Sequence, residues 1–451
     1  MQFTPSVSAR FVSSPRWELL VVLGAALLGA GVVLAPTYVL GAVGAAFLLA
    51  LLTRGPLTRT VVVMVSSLSL LQISSGESVE KWSYLAILVV AMGFGAMSLS
   101  SHWIRIRAIG GAPLLWSAAL IAAVVALSAV VSAAHGIALT AWVGDVPAYG
   151  MIPAAIIFGL DLAASDHQPR SVAVVLFLAA VGSAVAFALQ WTVRHGVTNV
   201  DVGRFLFASM FLPGAGVCLA LAYAFDGRRT YRMGILAMGL LFAMFITATR
   251  SAVVFLLPVV LTVLIARGQR RWRITGLVAG AALAASILGA VLSVTGAGSY
   301  LNFQLLQSRL GGLVPLLLSG NILADQSAYL RFYQTQALLQ GWLGAPWFGI
   351  GPGAVYAYSN LVFVHPVDSP MAIFARFGVV GVAAFLGLFV TLMASNLRLL
   401  AHWVPSTALL TFVGLVLAWS LVSSPLDDKG VALGLIPLIG LCGVWRQNSR
   451  S

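Results

Sequence analysis

Apolar stretches long enough to cross a bilayer follow one another almost without interruption along this chain, and that succession decides its fold class. A helix needs about 20 apolar residues to span the hydrocarbon. Such stretches lie near 17–35, 38–53, 60–74, 82–100, 113–134, 146–164, 171–191, 205–225, 231–247, 251–267, 274–295, 371–395, 404–422 and 430–445. They predict fourteen transmembrane helices, with twelve as the lower count because the third, ninth and last stretches are short. Charged residues make up only 8% of the chain, against roughly 25% in soluble domains. A soluble enzyme, a disordered chain and a single-span receptor are excluded, and an all-α polytopic membrane protein is predicted.

An even number of spans puts both termini on one side. The balance of 25 basic against 12 acidic residues looks at first like a signal for nucleic acid. Placed on the predicted spans, the charges say otherwise. Connections on the side of the N-terminus hold 17 of the cations and four acids, Glu18, Asp161, Asp166 and Asp226. The opposite side holds eight of each and is neutral. Cytoplasmic loops carry the excess of Lys and Arg, so both termini are expected in the cytoplasm and no nucleic-acid partner is needed. Arg10 and Arg16 precede an apolar run too long for the core of a cleavable signal peptide. Cys218 and Cys442 both lie inside apolar runs, so no disulfide framework is expected. The chain shows no tandem repeat.

One connection is unlike the others. Residues 296–370 separate an N-terminal transmembrane bundle (1–295) from the C-terminal transmembrane helices (371–451), and the charge pattern puts this long segment outside. Loops beyond about 15 residues are usually functional or disordered. This one is rich in Tyr, Phe and Trp and is expected to be ordered, with short helices near 301–318 and 326–342. In the second, Tyr329, Phe332, Tyr333, Gln336 and Gln340 recur at helical spacing near one face. An interfacial helix that merely covers the bundle gives the same pattern.

Several arginines lie where a charge is costly. Arg250 falls in a short outer turn between two apolar runs, Arg331 and Arg376 lie in mostly apolar outer sequence, and Arg309 lies in the first loop helix. A guanidinium binds phosphate through a planar fork, so a lipid-linked pyrophosphate in the outer leaflet is one explanation for the group. Snorkelling to ordinary lipid phosphates is the other, and it is preferred for Arg194 and Arg204.

Three stretches together resemble the O-antigen ligase and O-antigen polymerase superfamily. Thr247-Ala248-Thr249-Arg250-Ser251-Ala252 looks like that family's T-x-S-R-G/A turn. Tyr329-Leu330-Arg331, followed by Pro346-Trp347-Phe348-Gly349-Ile350-Gly351-Pro352-Gly353, is similar to an Arg-bearing helix followed by P-L-F-G-x-G-x-G. His365-Pro366-Val367-Asp368, followed by Gly378-Val379-Val380-Gly381, looks like H-P-H-N followed by G-L-x-G. The resemblance covers about residues 240–390. It implies a GT-C-like fold of 12–14 helices with one large extracytoplasmic loop of short helices, in a bacterial inner membrane. It further implies a glycosyltransferase that moves a glycan from a polyprenyl pyrophosphate to an acceptor hydroxyl on a glycan or glycolipid.

The sequence departs from that pattern at one point. The family's second histidine falls on Val367 and the neighbouring Asn on Asp368. The general base is then Asp368 or His365, with Asp368 preferred. An N-cap for the following span explains Asp368 equally. Arg250 and Arg331, with Arg309 as a third, are assigned to the pyrophosphate, whose growing charge arginines stabilise without a metal. Tyr329, Tyr333 and Trp347 are assigned to sugar rings, with Trp342 a further candidate.

No G-x-x-x-x-G-K-S/T motif is present, so this chain does not drive transport with ATP. Gly349-x-Gly351-x-Gly353 lacks the strand-to-helix context of a dinucleotide loop and reads as a turn. The six histidines show no i, i+4 pair, and no metal or cofactor is expected. Asp427-Asp428-Lys429 reads as a solvated turn. Polymerase is preferred over ligase because of Val367 and Asp368. A lipid-linked glycan transporter or flippase is the rival class, and it predicts broken helices and charges at the midplane.

Overall fold

A computed structural model describes residues 36–70, 79–165, 168–193, 209–226, 230–245, 254–265, 326–364, 366, 369–397, 403–421 and 423–448. Residues up to Gly55 and those from Pro56 onward form two compact units. In the first unit Pro36–Thr53 is helix α1.

The second unit is overwhelmingly helical. Its elements are α2 (Pro56–Leu70), α3 (Val79–Ser101), α4 (Trp103–Ala108), α5 (Ala112–Ala134), α6 (Leu139–Asp145), α7 (Pro147–Ala164), α8 (Pro169–Val193), α9 (Phe211–Phe225), α10 (Thr230–Phe245) and α11 (Leu257–Ile265), then α12 (Gln326–Gly344), strands β1 (Val355–Tyr358) and β2 (Leu361–Val364), α13 (Met371–Leu397), α14 (Trp403–Trp419) and α15 (Lys429–Asn448). Five helices are long and apolar enough to cross a membrane: Lys81–Ser101, Ala112–Ala134, Pro147–Ala164, Pro169–Phe187 and Met371–Asn396. The chain is a membrane-embedded helical protein. Each predicted stretch from 38–53 to 251–267, and each from 371–395 onward, overlaps a described helix, and five of those helices have the length and composition of a span. The stretches near 17–35 and 274–295, and the loop helix near 301–318, lie outside the described residues.

Helices α7 and α15 pack together more extensively than any other pair among the described elements. The reason is small side chains. A Cβ on Gly159 would lie 2.8 Å from the Cβ of Ile439, and one on Gly440 2.9 Å from the Cβ of Leu162. Gly443 abuts Ala163 more closely still, at 2.1 Å. Apolar helices gain nothing over lipid by burying more hydrocarbon, so close backbone approach through small residues is what selects such a pair.

Polar contacts fix the two ends of the bundle. At one end Arg59 of α2 pairs with Asp161 of α7, and Ser98 of α3 donates to the same carboxylate at 2.6 Å. At the other end Ser67 of α2 bonds Tyr84 of α3 at 2.7 Å, and Lys429 donates to the Ser67 carbonyl. Asp428 accepts from the backbone N–H of Gly430, at the first turn of α15, and of Met210, at the start of α9. Asp161, Arg59 and Lys429 are all buried. Each of these contacts joins groups that the loop-charge pattern assigns to the same side.

The long connection is ordered where it is described. Helix α12 appears where the aromatic spacing predicts one, slightly longer at its C-terminus. The antiparallel hairpin β1–β2 follows it, with Tyr356 opposite Phe363 and Tyr358 opposite Leu361. Its two-residue turn has Ser359 at φ 56. The hairpin is absent from the expectation of short helices alone. Its β-branched and aromatic content on either side of Ser359-Asn360 is the strand signal in the sequence.

Candidate functional site

The glycine-rich stretch is a turn, and its glycines let it touch three helices backbone to backbone. Helix α13 is broken at Gly378, whose φ of 63 and ψ of −167 lie in a region essentially reserved for glycine. The break frees backbone groups that the turn satisfies. Val379 and Val380 donate to the carbonyls of Pro346 and Trp347 at 2.9 and 3.1 Å, and Ile350 donates to the carbonyl of Ala375 at 2.8 Å. A Cβ on Gly349 would meet the Arg376 backbone, one on Gly351 would meet Ser132 of α5, and one on Gly353 would meet Ala141 of α6. Two of the stretches that carry the family resemblance, 346–353 and 378–381, are therefore docked on each other.

Two residues before that break sits Arg376, at 1% exposure the largest fully buried side chain. Its Nη1 donates to the Tyr149 hydroxyl at 2.6 Å and to both carboxylate oxygens of Asp427. Asp145 lies 3.4 Å from its Nε and accepts from the backbone N–H of Gly353 at 2.9 Å. Its Nη2 reaches the carbonyl of Pro366 at 3.4 Å. The rings of Tyr149, Phe377 and Phe385 pack edge-on or tilted beside it. Tyr356 lies nearby; burial pushes its phenol well above the usual range, Arg376 opposes that shift and Asp145 adds to it. This corrects two readings. Asp427-Asp428-Lys429 is a partly buried ionic turn, because Arg376, Ser209 and the first turn of α15 take up its charges. Arg376 is already matched by carboxylates and is not open to a phosphate.

Helix α12 carries the remaining described candidates. Successive residues turn by about 100°, so Arg331 and Tyr333 lie on opposite flanks. Tyr329 and Tyr333 are in contact with ring centroids 4.5 Å apart, and Tyr333 meets Tyr358 of the hairpin edge-on at 5.6 Å. A hydrogen bond with Tyr329 raises the pKa of the half-buried Tyr333. The other flank carries Arg331 and, one turn on, Thr335. The Thr335 hydroxyl bonds the Arg331 carbonyl at 2.7 Å and the Ser369 hydroxyl at 2.9 Å. Ser369 also accepts from the backbone N–H of Met371 and so caps the start of α13. Between the flanks, Ala337 and Leu338 join Tyr356, Ala372 and Ala375 in a buried cluster.

The structure thus joins Tyr329 and Tyr333 to the hairpin, and joins Thr335, one turn after Arg331, to the start of α13. Trp347 is not with either group. It lies in the turn beyond Gly344, the C-terminal end of α12, which is itself about 16 Å along the axis from Tyr333, and is 67% exposed. Trp342 packs against Phe374 and donates to the Pro346 carbonyl, which gives it a local structural role. Arg250, Arg309, His365 and Asp368 lie outside the described residues. Pro366 and Ser369, which flank Val367 and Asp368 in the chain, are described and buried. Asp145 and Tyr149 were not singled out in the sequence, and their only signal was that Arg376 needed a partner; Asp427 was read only as part of a solvated turn.

Compared with known proteins, the chain matches no family model, and no curated protein is significantly similar to it.

Proposed function

We propose that this chain is a membrane glycosyltransferase that moves a glycan from a polyprenyl pyrophosphate to an acceptor hydroxyl, as an O-antigen or exopolysaccharide polymerase does. One observation carries the reading: Arg331 shares a flank of α12 with Thr335, whose hydroxyl is bonded to Ser369. Arg331 stands one turn, about 6 Å along the helix, from Thr335, whose partner Ser369 follows Asp368 directly in the chain. That pairs a fixed positive charge for the departing pyrophosphate with a base for the acceptor hydroxyl. The bond from the anomeric carbon to the phosphate oxygen breaks and the electron pair leaves with the pyrophosphate. The acceptor oxygen forms the new bond, and its proton passes to Asp368 or His365. Tyr329, Tyr333 and Tyr358, on the other flank, offer ring faces to sugars farther along the chain. Arg250 and Arg309 are the further pyrophosphate ligands in this reading.

The site is assigned to the outer face, with N- and C-termini in the cytoplasm, a GT-C-like fold and 12–14 spans. Four of the buried charges support an enzyme over a transporter: among the described residues Arg59, Lys81, Asp161 and Lys429 lie near helix ends and not at the middle of a span. The break of α13 at Gly378, beside the buried Arg376, is the one feature shared with the transporter reading. The test is turnover of lipid-pyrophosphate oligosaccharide by the purified chain in nanodiscs. Loss of turnover in Asp368→Asn with activity kept in His365→Ala assigns the base to Asp368, and the reverse assigns it to His365. Full activity in both variants removes the base-assisted mechanism.

A further inference from the structure

We infer that the β1–β2 hairpin is a membrane anchor: its outward face lies against lipid acyl chains at the headgroup boundary, and the partner that covers it is the bilayer. The inference goes beyond the proposed reaction and does not rest on it.

Antiparallel pairing fixes which side chains share a face. Val355 stands opposite Val364 and Ala357 opposite Val362, and alternation along each strand puts these four on one side. Tyr356, Tyr358 and Phe363 take the other side, where they pack in the cluster that contains Ala337 and Leu338 of α12. The hairpin is therefore apolar on both faces. A sheet with one face in water alternates apolar and polar residues instead. Here the second face is valine, with Val355, Val362 and Val364 exposed by 58–66%. No charged residue occurs from Phe332 to Val364, although strands whose edges meet water are commonly guarded by charges, Lys above all.

The hairpin also starts at the level where spans end. The Pro352 carbonyl accepts from Ser132, two residues before the end of α5. Gly353 donates to Asp145, two residues before α7 begins. Both helices are long and apolar enough to cross a membrane, and β1 begins two residues after Gly353. The preceding turn lies deeper. Phe348 shares a recess with Leu127 and Val131, one to two turns inside α5, and both Phe348 and Trp347 are exposed there. Trp is enriched where a membrane meets water. Backbone chemistry limits how far the strands can sink. A two-stranded sheet leaves N–H and C=O groups on its outer edges, and hydrocarbon cannot satisfy them. The strands thus stay among the headgroups while the valines reach the acyl boundary, the depth at which interfacial helices lie. Held there, the hairpin fixes the height of α12 through Tyr356 and through the contact of Tyr358 with Tyr333.

The test uses the full chain in nanodiscs, with a bimane fluorophore on Val355→Cys or on Val362→Cys. Cys218 and Cys442 are both buried, and wild type labelled in parallel gives the background. The discs contain phosphatidylcholine with a nitroxide either near the head or near the middle of its acyl chain. The shallow nitroxide is expected to remove at least about half of the emission at either site, as contact at the acyl boundary implies. The deep nitroxide should remove less. A smaller loss with the shallow lipid overturns the inference. Strong quenching by aqueous iodide then puts the face in water, and protection from iodide puts protein on it, from this chain or a second copy. Stronger quenching by the deep nitroxide than by the shallow one overturns the boundary position. Either site alone decides the matter if the other variant fails to fold.

Discussion

Arg376 meets Asp427 through a single guanidinium nitrogen, Nη1, which lies 2.7 and 2.9 Å from the two carboxylate oxygens. Asp427→Ala leaves Asp145 as the remaining carboxylate for Arg376, whereas Arg376→Met strands Asp427 and Asp145 together. Arg376→Met should therefore destabilise the fold by about 3 kcal/mol, the usual cost of an uncompensated buried charge, and Asp427→Ala by less. Unfolding of the detergent-solubilised protein measures both.

The break in α13 gives a second prediction. An alanine at Gly378 meets the Trp347 backbone and must adopt a positive φ. Gly378→Ala should cost at least about 2 kcal/mol and expose the turn 345–354 to limited proteolysis. Gly344→Ala, where a Cβ meets nothing within 4 Å, should leave the cleavage pattern unchanged.

Helix pairing is testable at one glycine. Gly443→Leu drives a side chain into Ala163 of α7 and should lower stability by about 2 kcal/mol or more, as overpacking does. Gly93→Leu, at an open position, is the matched control and should be close to neutral.

Asp428 supplies a pH dependence. Burial raises its carboxyl above the ordinary 3.8, against the hydrogen bonds from Ser209 and Gly430, the charge of Lys429 and the bond from Met210. A carboxyl raised in the folded state stabilises fully below its unfolded pKa, and that share is lost as pH rises through the folded value. The melting temperature should therefore fall as pH climbs above about 4. Asp428→Asn, which cannot ionise, should flatten that part of the profile.

The helices were legible because a membrane leaves hydropathy little freedom. The charge pattern expects Arg59 and Asp161 on one side and Arg376, Asp145 and Asp427 on the other, and those are the groups that meet. The pairing itself was not legible. Arg376 and Asp427 are separated by 51 positions, and no periodicity links them. Arg331 and Tyr333 stand two residues apart in the sequence and so read as one group, yet the helix turns them to opposite flanks. Trp347 was grouped with the tyrosines because all are aromatic, yet its turn docks on α13 while Tyr333 meets the hairpin.

The account stands most directly on the arginine beside Thr335. Release of polyprenyl pyrophosphate by the purified chain in nanodiscs, compared between wild type, Arg331→Lys and Arg331→Ala, measures its part. Wild type should release the carrier, Arg331→Ala should lose about 10²–10³-fold in kcat, and Arg331→Lys should fall between. Equal release from all three, or none from the wild type, contradicts it.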